Sequence, residues 1–120
     1  MTLRRLKSYT GETGLVYQYY FVGKRAALPE APEAPATEYI FDVSSDRKLT
    51  FAVSVFVTSD ALEAWAQAHG RQLTDAEQYA AAKLRLFRGF DEVEDLLHQG
   101  RRLRIGAEEI EPLLAQLGVE

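Results

Sequence analysis

The chain has 120 residues, 47% of them apolar and 27% charged, which suits one folded domain with a proper core and excludes a disordered chain. It contains no cysteine, so disulfides, thiolate catalysis and cysteine-based zinc sites are ruled out. The net charge of −4 hides an asymmetry: residues 1–28 carry five basic side chains and one acidic one, +4, against −8 for the rest.

No apolar run approaches the length of a membrane span, and residues 1–10 lack an apolar signal-peptide core, so cytoplasmic residence without a membrane partner is expected. Ten arginines to four lysines and the absence of asparagine fit a GC-rich genome; six glutamines argue against avoidance of heat-labile residues.

In chain order, Gly11-Glu-Thr-Gly14 reads as a turn, and the aromatic, β-branched stretch that follows predicts a strand over about 15–25. Prolines 29, 32 and 35 forbid strand or helix over 28–36. They make a stiff connection there rather than a ligand for a proline-binding groove. Strands follow over about 38–43 and 49–58. Facing residues of an antiparallel pair share a face, so the numbers of facing residues have a constant sum. Setting Val43 opposite Leu49 places Phe41 against Phe51 and Tyr39 against Val53, with a loop of three or five residues.

Helices are announced by their caps. Asp60 with Glu63, or Ser59, starts one that Gly70 ends at about 60–69. Thr74-Asp-Ala-Glu77 is a capping box opening a helix over about 75–90, which Gly89 weakens. A third helix is expected over about 92–99 and a last one over about 112–117, with Pro112 in its first turn and Gly118 as its stop. Arg102–Ile105 can add a short fourth strand. The expected fold is a single α+β domain: a three-stranded antiparallel meander with three or four helices on one face.

Candidate chemistry is sparse. His69 and His98 fall in last helical turns, where an imidazole bonds free carbonyls. No nucleophile elbow, phosphate loop, metal-ligand spacing or cofactor motif occurs, so no catalytic residue, metal ligand or cofactor is assigned. The basic and aromatic residues of the first strand invite comparison with RNA-binding sheets, but element order, missing signature and acidic net charge argue against nucleic acid. Lys83 is anomalous. On a helical wheel it lies in the inward stripe with Tyr79, Leu86 and Phe90, while Glu77, Gln78, Ala81, Arg85 and Arg88 point outward. Its stem can pack on a ring with the ammonium in water, or the amine can be tuned for chemistry.

The clearest functional lead is the sheet. Alternation gives one apolar face, from Tyr17, Tyr19 and Phe21 through Tyr39, Phe41 and Val43 to Phe51, Val53, Val55 and Val57, which helices must cover. The second face mixes Val16, Gln18, Tyr20, Val22, Ile40, Asp42, Ser54 and Phe56, with Ile40 opposite Ala52 and Asp42 opposite Thr50. An apolar patch edged by polar groups predicts contact with a partner. The expected function is a non-catalytic interaction domain using that face, most simply as a homodimer, unless the segment from Ile105 to Leu117 folds over it. The alternative is a small-molecule-binding or enzymatic domain built on Lys83 or on Tyr20 and Asp42 with Gln18 and Ser54.

Overall fold

The computed structural model describes residues 6–11, 14, 16–27, 35–44, 49–92 and 101–119. The architecture is α+β, but the sheet has five strands and is mixed, where a three-stranded antiparallel meander was expected. The strands are β1 (Lys7–Thr10), β2 (Val16–Ala27), β3 (Ala36–Ser44), β4 (Thr50–Thr58) and β5 (Arg102–Ile105), lying in that order. Three helices are described: α1 (Ser59–His69), α2 (Asp75–Glu92) and α3 (Ile110–Gln116). The helix expected over 92–99 lies outside the described residues beyond Glu92, and so does the proline-rich connection over 28–34.

β1 carries too little pattern to be read from sequence. It is four residues with Tyr9 its one large apolar side chain, and only the ladder with β2 makes it a strand. The turn after it is where glycine was expected to place it: Gly14 has φ 88° and donates its N–H to the Gly11 carbonyl at 3.0 Å. β5 forms as anticipated, yet it runs parallel to β4, because the two are joined through α1 and α2 rather than by a hairpin.

The pairing of β3 with β4 keeps the expected parity but moves by two residues. Val43 faces Phe51 and Phe41 faces Val53, and five positions, 45–49, separate the paired Ser44 and Thr50. A shift of two leaves every side chain on its face, so alternation alone does not decide between the registers. As a result Ile40 faces Ser54 and Asp42 faces Ala52, replacing the pairs expected from alternation.

A larger departure occurs in β2. Phe21 faces Phe41 while Gly23 faces Ile40, so Val22 is an extra residue at a bulge. Beyond it the alternation inverts. Lys24 turns to the apolar face, with its Nζ 5.9 Å from the Tyr39 ring centroid, and Arg25 turns to the second face.

The apolar face is the core. Tyr39, Phe41, Val43, Val53, Val55 and Val57 are buried there with Trp65 of α1, Leu86 and Phe90 of α2, and Ile110, Leu113 and Leu114 of α3. α1 starts one residue earlier than its expected caps. Thr58 is the N-cap, its Oγ1 accepting from the Ala61 N–H at 3.1 Å, and Gly70 (φ 70°) closes the helix by donating to the Ala66 carbonyl. The capping box of α2 forms as expected: Glu77 N–H donates to Thr74 Oγ1 and Thr74 N–H to Glu77 Oε1. α2 runs through Gly89 to Glu92, because the missing side chain admits Leu103 of β5, whose Cδ1 lies 2.7 Å from where a Cβ would stand. α2 also buries more than one stripe. Ala81, placed outward by the wheel, is fully buried, and Arg85 and Arg88 donate to the Arg104 carbonyl and Gln116 Oε1. β5 and α3 pack beside the helix and cover its second side.

Candidate functional site

Face two runs across four strands and is met by none of the three helices, all of which contribute their buried side chains to the core cluster on the other face. Its residues alternate with the buried ones along β3 and β4. Val16 is 47% exposed, and Gln18, Tyr20, Ile40, Ala52, Ser54 and Phe56 are half-buried. Val22, assigned to this face by alternation, is the bulge residue and is 40% exposed. The segment from Ile105 to Leu117 does not cover the face; Ile110, Leu113 and Leu114 of α3 lie in the core instead. Packed against α1 and α2, these three side chains are fully buried, and burial of apolar surface is what favours that placement.

The centre of this face is a charged group that alternation did not bring together. The bulge sets Arg25 opposite Glu38, and Arg25 Nε donates to Glu38 Oε1 at 2.8 Å. From β4, Ser54 Oγ donates to Glu38 Oε2 at 2.6 Å. Arg102 of β5 lies with its guanidinium 4.7 Å from the centroid of the Phe56 ring. Burial raises the Glu38 pKa, but the hydrogen bonds from Arg25 and Ser54 and the charges of Arg25 and Arg102 outweigh it and hold the carboxyl below its ordinary range. The signal available in the sequence was one of sign: carboxylates in one strand, Glu38 and Asp42, with arginines on other strands of the sheet. Without the bulge Arg25 belongs to the wrong face.

The expected polar cluster is split by the fold. Gln18, Tyr20 and Asp42 meet with Leu6, Ser44 and Thr50 around a depression of about 140 Å³, whereas Ser54 is engaged by Glu38. That volume is below the roughly 300–1,000 Å³ usual for small-molecule pockets.

Lys83 lies between the sheet and solvent, half-buried, with its Nζ 5.9 Å from the ring centroids of Tyr19 and Phe87. Burial lowers its pKa, and the adjacent Lys7 amine lowers it further. Tyr19 is displaced the other way: burial, then the neighbouring Tyr79, push its phenol up to about 12. Of the histidines, His69 stacks on Trp65 at 4.1 Å and meets Glu111 Oε1 of α3 at 2.6 Å, a cross-helix contact rather than a bond to free carbonyls. His98 lies outside the described residues. Among the described residues no three His, Asp or Glu side chains gather as a metal ion requires.

Comparison with protein-family models, curated proteins and solved structures finds no match. Among the described residues no helix is long and apolar enough to cross a membrane.

Proposed function

We propose that this chain is a non-catalytic interaction domain acting through face two, and that the partner is a second copy of itself. The observation that carries the reading is the one-sided burial of the helices, which leaves Val16 exposed and Ile40 and Phe56 half-buried with no described helix over them. The face is suited to losing its water. Its most buried carboxylate is already paired with Arg25 and hydrogen-bonded by Ser54, so the further charges a second sheet meets there are Asp42 on β3 and Arg102 and Arg104 on β5. Asp42 lies on β3 and Arg102 on β5, two strands away, so a two-fold axis running over β4 sets each against the opposite charge of the other copy. Aligned stacking of two sheets is the simplest geometry.

Sedimentation equilibrium tests this. The expected mass is twice the 13.5 kDa of one chain, and Phe56→Glu and Val16→Lys are expected to yield monomers that unfold at nearly the wild-type denaturant concentration. A strictly monomeric wild type, with a stably folded Phe56→Glu variant of the same mass, overturns the proposal.

A further inference from the structure

We propose that Lys7 and Lys83 together bind the phosphate group of a small phosphomonoester, where α2 packs on the β1–β2 edge of the sheet. The site is separate from face two and independent of self-association.

The register carries Lys7 there. It faces Tyr19 and lies on the same side of β1 as Tyr9, whose ring stacks on Phe87 of α2 at 4.5 Å. Lys83 precedes Phe87 by one helical turn and holds its Nζ 5.9 Å from the Tyr19 and Phe87 ring centroids. Lys7, directly opposite Tyr19 on β1, is its neighbour there, and burial, then the nearness of the two amines, lowers the Lys83 pKa. Several other cations have acids beside them. Lys24 is paired with Asp75 at 3.6 Å, Arg25 with Glu38 at 2.8 Å and Arg71 with Glu77 at 2.9 Å. Neither Lys7 nor Lys83 has a carboxylate at ion-pair distance among the described residues. The acids at the two ends of the α2 stripe are engaged elsewhere, Asp75 by Lys24 and Asp91 by the Tyr9 hydroxyl at 2.6 Å.

Two ammonium groups held together without an internal counter-ion attract one from outside. A dianion neutralises both, where a carboxylate neutralises one. Six N–H donors around a point suit the several oxygens of a phosphate better than the two of a carboxylate. The rings beneath the Lys83 amine keep water from one side, which strengthens its charged contact. Next along β2 the Phe21 ring, 37% exposed and 5.0 Å from Tyr79, offers a flat apolar surface to the organic part of the ester.

The test is a titration of the full chain with inorganic phosphate and with phenyl phosphate at constant ionic strength set by chloride. The readout is the four lysine side-chain methylene signals. Saturable shifts at Lys7 and Lys83, with Lys24 and Lys48 unmoved, are expected, together with tighter binding of phenyl phosphate and a shift of the Phe21 ring. Lys7→Met and Lys83→Met should each weaken binding about tenfold or more, the loss of one charge-assisted contact. Linear shifts shared by all four lysines, or an affinity unchanged in Lys7→Met, overturn the site. Lys7 is exposed, so that variant decides the matter even if Lys83→Met fails to fold. Inorganic phosphate binding as tightly as phenyl phosphate overturns the ester and leaves the free ion as the ligand.

Discussion

Glu38 illustrates how one residue can be misjudged when only its strand is read. A carboxylate near the start of β3 looks like an ordinary wet position, yet its side chain is only 11% exposed and is held by Arg25 and Ser54. Removing its charge while keeping its shape should be costly. Glu38→Gln is expected to lose about 1–2 kcal/mol at neutral pH, the scale of one charge-assisted hydrogen bond whose arginine partner stays largely in water. The sign of the pH effect follows from the lowered pKa. The contribution is present above the ordinary value of 4.5 and is lost as pH falls through the lower folded value. Urea unfolding near pH 7 and near pH 3 should therefore show a smaller acid-induced loss in the variant than in the wild type. Equal losses in both would count against the carboxylate's role.

At the scale of elements, local chemistry was legible where a few neighbouring residues settle it. The capping box of α2 and the glycine stop of α1 formed as expected, since both depend on backbone groups within one turn. The start of α1 did not follow this rule. Ser59 and Asp60 are good cap residues, but Thr58 takes the position because its hydroxyl serves twice, accepting from Ala61 N–H and donating to the Ile105 carbonyl at 3.2 Å. That second bond ties the end of β4 to β5, a contact no local reading contains. Thr58→Ala should accordingly cost about 1–3 kcal/mol, from loss of the cap and an orphaned carbonyl, while Ser59→Ala should stay within about 0.5 kcal/mol. Denaturant midpoints of the two variants check it, and a reversed order would assign the cap to Ser59.

Across the whole molecule, the burial of tyrosines against α2 makes the fold sensitive to alkali in two opposed ways. Lys83 is lowered, so the unfolded chain holds its proton more firmly, and this group adds stability as pH rises toward the ordinary lysine value of 10.5. Tyr19 is pushed up to about 12, and burial raises Tyr17 and Tyr39 as well. Above the ordinary value near 10 the unfolded chain releases those protons while the folded one keeps them, so stability falls through that range. Thermal melts from neutral pH upward should rise and then drop. Lys83→Met is expected to abolish the rise and leave the drop; a rise that survives would assign it to another group.

The α+β class, the parity of the strands and the identity of the core face were legible in the amino-acid order, because period-two alternation and caps are written in neighbouring residues. Lys83 also stood out there, as a charge in an apolar stripe. Tertiary structure decided the rest. β1 exists only as a partner of β2, β5 runs parallel because two helices intervene, and the β3–β4 register differs by two from the other register of the same parity. The bulge at Val22 is the decisive case. One extra residue exchanges the faces of Lys24 and Arg25, and so builds the Arg25–Glu38–Ser54 group that the uninterrupted pattern denies.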